Sequence, residues 1–214
     1  DFGVMTMNNI DPVLRSDLER ICEIFPHWEE LAGRSVLITG ATGLVGSMLV
    51  RTLCAAPVEM TVIAHVRNEQ KARAMFGDLP VSYCVGDVTA PICYEGAVDY
   101  ILHTASVTAS KAFVTQPVET LMTAIDGTKN LLEFARQKQV RGMVYVSSME
   151  AYGITDPKLE RITERDLGYI DILSVRSSYS EGKRICECLC AAYAAQHGVP
   201  VKIARLAQTF GAGV

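Results

Sequence analysis

Val36-Leu37-Ile38-Thr39-Gly40-Ala41-Thr42-Gly43-Leu44-Val45-Gly46 carries an apolar run straight into a turn of regularly spaced glycines. A run that is apolar at successive positions reads as a strand covered on both faces. Gly40, Gly43 and Gly46 then recur at three-residue intervals. At that spacing small residues let the backbone turn tightly and bring the N-terminus of the next helix close to a pyrophosphate. Gly40, Thr42, Gly43, Leu44, Val45 and Gly46 are therefore the candidate cofactor-binding loop, with backbone amides as donors. A glycine-rich strand-to-helix turn without function would use the same residue types, so the place of the loop in the fold decides between them.

Outward from this loop, short apolar runs alternate with helical segments. Met60–Val66, Val81–Val85, Asp99–Thr104, Gly142–Ser147 and Val201–Leu206 join Ser35–Thr39 as six predicted strands, with helices predicted over 44–56, 68–76, 117–138 and 178–197. Strands separated by helices pair in parallel, with the helices covering both faces. The expected fold is α/β, a doubly wound parallel sheet of the Rossmann type, and the glycine loop follows its first strand. This domain is assigned to residues 34–214, and its long 153–177 connection, rich in charge, is expected to be functional. Residues 1–33 read as an N-terminal extension with a short helix. There Ser16 and Glu19 fit a capping box, Leu18, Ile21, Cys22 and Ile24 recur at helical spacing, and Pro26 stops the run. Asp1 to about Thr6 reads as a tag remnant or processed end. Because the sequence stops shortly after the sixth strand, a C-terminal substrate domain is expected to be largely missing.

Composition narrows the partners. Twenty Lys+Arg against 24 Asp+Glu give a net charge of −4, which provides no diffuse positive field for nucleic acid. The longest uncharged stretch, Ser35 to Val50, falls short of the ~20 residues that cross a bilayer, so no membrane partner is expected. No basic-then-apolar segment opens the sequence, and the expected compartment is the cytoplasm. Cysteines stand at 22, 54, 84, 93, 186, 188 and 190, without the two-residue gap of zinc or redox sites. Cys186, Cys188 and Cys190 alternate along a helix, about 200° apart, and cannot converge on one ion. No metal site is expected.

Tyr179 and Lys183 are four residues apart and emerge on one helix face. A phenol is a poor base at neutral pH, but a nearby ammonium and a cationic nicotinamide favour its phenolate. Ser147-Ser148 ends the fifth strand, where a parallel sheet presents side chains to its ligand crevice. Ser148 is the candidate to hydrogen-bond the reacting hydroxyl or ketone, with turn capping as the plain alternative. After the second strand, Val66 is followed by Arg67 and Asn68 rather than by the acid that would hold an unmodified ribose. Arg67 leans toward a 2′-phosphate and NADP; a solvated arginine with NAD remains the alternative. Asp87 and Val88, after the third strand, are placed to meet the adenine, or else simply to form a turn.

Four motifs then follow in order: Thr39-Gly40-x-x-Gly43-x-x-Gly46, His103-Thr104-Ala105-Ser106, Ser147-Ser148-Met149-Glu150-Ala151-Tyr152-Gly153 and Tyr179-x-x-x-Lys183. This combination, covering about residues 34–214, resembles the extended short-chain dehydrogenases/reductases, the NAD(P)-dependent epimerase/dehydratase family. Within it, Arg176 to Arg184 and Ala204 to Gly211 are similar to UDP-glucuronate decarboxylases and dTDP-glucose 4,6-dehydratases. The resemblance implies NAD or NADP as cofactor, with Thr104, Ala105, Ser106, Tyr179 and Lys183 also contacting it. It implies Ser148, Glu150, Tyr179 and Lys183 as catalytic residues, and Ser148, Arg176 and Gln208 as substrate contacts. It further implies a homodimer formed through the helices 117–138 and 178–197. The implied activity is modification of a nucleotide sugar: oxidation at C4, then decarboxylation, dehydration or epimerisation. Met149 stands where the dehydratases carry an aspartate and the decarboxylases a serine, Ala124 replaces a usual asparagine, and Gln208 replaces another. Two alternatives stay open, an NADPH-dependent carbonyl reductase and a non-catalytic dinucleotide-sensing module.

Overall fold

Six strands, β1 (Ser35–Thr39), β2 (Thr61–Val66), β3 (Val81–Val85), β4 (Tyr100–His103), β5 (Gly142–Ser148) and β6 (Val201–Leu206), lie parallel in the order β3-β2-β1-β4-β5-β6 in the computed structural model. The structure describes residues 11–211; the expected tag remnant Asp1–Thr6 and the final three residues lie outside the described residues. Helices α1 (Pro12–Ile24), α2 (Leu44–Cys54), α3 (Glu69–Phe76), α4 (Ser110–Thr115), α5 (Pro117–Lys138) and α6 (Ser177–His197) complete the described elements, with short 3-10 turns at Trp28–Leu31 and Met149–Tyr152. The chain steps outward from β1 to β2 to β3, then returns to lay β4 on the other side of β1. That reversal opens a crevice at the C-terminal ends of β1 and β4.

Every residue of β1 is buried, because both faces of the sheet are covered. Side chains alternate along the strand. Leu37 joins Ile63, Ile101 and Met143 under α5 and α6, where Leu131, Leu132, Cys186 and Cys190 are buried. Val36 and Ile38 join Val62, Val50 and Phe76 under α2 and α3. Trp28 belongs to this second layer, and its indole N–H donates to the Cys22 carbonyl at 2.9 Å.

Several boundaries differ from the sequence-based expectation for local reasons. Helix α1 begins at Pro12, where Asp11 Oδ1 accepts from the amides of Val13 (2.9 Å) and Leu14 (3.3 Å). The Asp-Pro pair therefore starts the helix ahead of Ser16 and Glu19, since proline is already set for the first helical position. Strand β4 begins at Tyr100 because Asp99 turns back to β1, accepting from both the amide and the hydroxyl of Ser35 at 3.0 Å. Helix α4 was not foreseen; six residues with the single buried anchor Phe113 give too little periodicity. No helix among the described residues is long and apolar enough to cross a membrane.

Two glycines of the loop are required by space. Gly40 has φ +63°, and a Cβ there would stand 2.8 Å from both the Cα and the amide nitrogen of Ala105. A Cβ on Gly46 would run into the Gly40 carbonyl. Gly46→Ala is expected to cost about 1–3 kcal/mol of stability by overpacking. That corresponds to a fall in melting temperature of roughly 2–12 °C, read by circular dichroism; an unchanged melt would show that the loop can yield.

Candidate functional site

The turn after β1 is shaped to receive a ligand by backbone. The Gly43 amide donates to the Gly40 carbonyl at 2.9 Å, and the Gly43 carbonyl opens α2 by accepting from Ser47 at 2.8 Å. Gly43 is exposed and caps α2 without any side-chain hydrogen bond. The amides of the first turn, at Leu44, Val45 and Gly46, thus face the crevice edge with the positive end of the helix dipole. These residues fit a dinucleotide: the turn offers amides, and no Cβ intervenes at Gly43.

Beneath the crevice a buried hydrogen-bond chain locks β1 to β4. The Ala105 amide donates to Thr39 Oγ1 at 3.2 Å, Thr39 Oγ1 lies 2.7 Å from His103 Nδ1, and His103 Nε2 lies 3.3 Å from Thr128 Oγ1 on α5. Thr104 Oγ1 donates to the Thr39 carbonyl at 2.6 Å. Burial drives the His103 pKa down to about 3, with the charges of Lys183 and His65 adding to the effect, so the imidazole is neutral. Thr104, Ala105 and Ser106 are half-buried at the crevice rim.

The two adjacent serines of β5 point to opposite faces. Ser147 is buried and donates to Glu187 Oε1 at 2.6 Å, while Glu187 is held by Arg205 of β6 at 2.8 and 2.6 Å. Ser148 Oγ accepts from the Glu150 amide at 3.2 Å, capping the 3-10 turn, and the hydroxyl is near enough to Tyr179 to lower that phenol's pKa. The turn-cap reading of Ser148 is thus seen directly.

Tyr179 stacks on Phe113 with ring centroids 4.3 Å apart. Burial raises its pKa, Ser148 opposes that rise, and the Glu150 charge adds to it. Lys183 is buried, donates to the Val146 carbonyl at 2.9 Å, and lies 5.6 Å from the Tyr179 ring centre. Burial lowers its pKa to about 8, against the opposing influence of Cys186 and Glu187. The structure therefore brings Ser148, Tyr179 and Lys183 together at one end of the sheet. Phe113, Glu187 and Arg205 were missed by sequence reasoning. Glu187, one helical turn beyond Lys183, was the visible signal.

Glu150 and Arg176 are joined to each other: Arg176 donates through both terminal nitrogens at 2.8 and 3.0 Å, and Ser180 adds a third bond at 2.9 Å. The Arg176 hydrogen bonds lower the Glu150 pKa, part of which burial reverses. At the far side of the loop, Arg67 is 82% exposed and lies 3.9 Å from Asp87 Oδ2. Asp87 is chiefly occupied by Thr89, whose amide and hydroxyl donate at 2.9 and 2.8 Å. Val88 is buried against Gly127, and Gln208 is exposed beyond β6. Among the described residues, no three His, Cys, Asp or Glu side chains gather as a metal ion would need.

A parallel sheet reversed at β1 and β4, with a glycine turn on one side of the crevice and a tyrosine–lysine pair on the other, defines a dinucleotide-binding domain of the extended short-chain dehydrogenase/reductase class. The chain belongs to the NAD dependent epimerase/dehydratase family, whose profile matches residues 36–214. Over 180 residues it is 34% identical to UDP-glucuronic acid decarboxylase 1 of Xenopus tropicalis, which aligns 83% of this chain with 42% of that protein. It is 33% identical over 179 residues to UDP-glucuronic acid decarboxylase 6 of Arabidopsis thaliana, covering 82% of this chain and 51% of that one. The solved UDP-glucose 4-epimerase of Thermus thermophilus, in complex with NAD, shares the fold with a TM-score of 0.64 at 24% identity, over 80% of this chain and 54% of that chain. The chain thus spans 42% to 51% of the length of these two curated relatives.

Because His103 is neutral when folded, unfolding lets it take a proton below its ordinary pKa near 6.5. Its contribution to stability is complete above about pH 6.5 and is lost as pH falls toward 3, at up to about 1.4 kcal/mol per pH unit. The His103 ring resonances should accordingly stay unshifted between pH 8 and 5 in NMR titrations; a midpoint near 6.5 would contradict the buried network.

Proposed function

We propose that this chain is the cofactor-binding part of an NAD(P)-dependent nucleotide-sugar-modifying enzyme. Its reaction oxidises the sugar at C4 and then takes the 4-keto sugar to decarboxylation, dehydration or epimerisation. The carrying observation is the grouping of Ser148, Tyr179 and Lys183 at the sheet edge that also bears the glycine turn. The names of the curated relatives favour decarboxylation. Met149, 48% exposed in the position of the dehydratase aspartate, offers no proton to a departing hydroxide and so disfavours 6-dehydration.

Gly40, Thr42, Gly43, Leu44, Val45 and Gly46 would hold the pyrophosphate, with Arg67, Asp87 and Val88 at the adenosine and Thr104, Ala105, Ser106, Tyr179 and Lys183 toward the nicotinamide. When bound in its oxidised form, the nicotinamide supplies a hydride acceptor and a positive charge. Tyr179 Oη takes the proton of the C4 hydroxyl, and Ser148 Oγ holds the same oxygen in line. Lys183 places its ammonium beneath the tyrosine ring and steadies the phenolate. Glu150, kept ionised by Arg176, presents a carboxylate for the step at C5, while Arg176 and Gln208 meet the substrate. Arg67, exposed and following β2 where no acid succeeds Val66 in the sequence, supports NADP as an accepted cofactor alongside NAD, with Asp87 as its ion-pair neighbour.

The outer face of α5 and α6 supports a homodimer, since Val118, Met122 and Ile185 are 67%, 41% and 45% exposed there. Leu189 and Tyr193, on the same helix as Ile185, pack instead on the core. The seven free thiols support a reducing, cytoplasmic compartment. Ile185→Glu is expected to shift the molecule from dimer to monomer in light scattering after size exclusion; an unchanged mass would remove this interface.

Tyr179→Phe in the full-length protein should retain dinucleotide binding, measured by mass spectrometry of the released cofactor. Turnover of nucleotide sugars such as UDP-glucuronic acid should fall about 10²–10⁴-fold. Carbon dioxide release would mark decarboxylation. Net consumption of NADPH, or binding without turnover in the unmodified protein, would overturn the proposal.

A further inference from the structure

Glu187 is a buried carboxylate that the proposed chemistry leaves without a role. Its side chain and that of Arg205 are only 11% and 13% exposed, and they meet bidentately. Replacing such a pair by apolar residues is often neutral or stabilising, so burial alone does not account for it. Its connections all lead to the site. Glu187 accepts from Ser147, the neighbour of Ser148, and stands one turn beyond Lys183 on α6. Arg205 packs over the Tyr152 ring at 4.7 Å and donates to the Glu164 carbonyl at 3.0 Å, fastening the 153–177 connection to β6.

We propose that Glu187 is a positioning residue for Lys183: clamped by Arg205 and Ser147, it supplies a fixed negative charge that keeps the neighbouring ammonium protonated inside the fold. The proposal rests on the role given to Lys183 above and concerns how that role is maintained. The groups facing Lys183 can be named element by element. From α6 come Tyr179, Cys186 and Glu187; from β5, Tyr145, whose ring centre is 5.1 Å from Nζ; from β4, His103, which is neutral and so offers no charge. Glu150 acts on Tyr179 and is already matched by Arg176 and Ser180. Burial raises the pKa of Cys186 and Tyr145, leaving both neutral near pH 7. Glu187 is thus the ionised carboxylate acting on Lys183. Its own pKa stays below the usual range, because Arg205, Ser147 and Lys183 outweigh the effect of burial.

The sign of one titration separates this role from a purely architectural one. Biosynthetic labelling with ¹³Cε-lysine, with the Lys183 signal assigned by its loss in Lys183→Met, follows the ammonium directly. Glu187→Gln keeps the shape and the acceptor for Ser147 but removes the charge. Lys183 should then titrate about one unit lower than in the unmodified protein. Loosened packing would instead let in water and raise the value toward the ordinary lysine range near 10.4. If Glu187→Gln does not fold, the double substitution with Arg205→Gln removes both charges; because the lost cation offsets part of the lost anion, a smaller fall of the same sign is expected. An unmoved or raised Lys183 titration in the folded variant overturns the proposal. Because neither cofactor nor sugar enters the measurement, a failure of the turnover experiment remains distinguishable from a failure of this one.

Discussion

The ends of β1 and β4 approach so closely that no side chain fits between them. At Gly40 a positive φ sends the chain back over the sheet, and Ala105 occupies the place where a Cβ would be. The hydrogen bonds from Ala105 and Thr104 to Thr39 close this contact, and the neutral His103 joins it to α5. With that junction made, the crevice, the free amides of α2 and the rim at Thr104 to Ser106 follow from the direction of the strands. Close packing makes such a junction nearly discrete: it is formed in full or it shifts neighbouring elements.

Charge at the other side of the crevice is arranged in two separate pairs. Glu150 with Arg176 lies nearer the solvent and ties the turn after β5 to the start of α6. Glu187 with Arg205 lies deeper and ties α6 to β6. Tyr179 and Lys183 are on the same helix between them. A phenol and an amine on a mobile helix would sample many separations; here both ends of the segment are held by charge-assisted hydrogen bonds, which are the stronger kind. The stacking of Phe113 on Tyr179 fixes the ring from the side.

Strands were legible in the sequence because burial on both sheet faces leaves continuous Val, Ile and Leu runs, and the four main helices because their apolar positions recur at 3.6-residue spacing. Short elements were not. Helix α4 depends on Phe113 finding Tyr179, 66 positions away in sequence, and no local pattern reports such a contact. The Ser16 capping box was a valid local motif that lost to Asp11-Pro12, which offered the same amides an earlier acceptor. Arg67 was legible as a cation after β2, but its approach to Asp87 was not, since the two belong to different strand ends.

From the sequence alone came the order of strands and helices, the glycine turn, and the tyrosine and lysine on one helix face, because each is written in residue type and local spacing. Partnership was decided only by the tertiary structure: that Ser147 turns inward to Glu187 while Ser148 caps the turn after β5, that Glu150 takes Arg176, and that His103 is buried and neutral. Hydrogen-bond partners and burial depend on distances between segments far apart in the chain. A side chain's charge state follows from those distances and cannot be assigned before the segments meet.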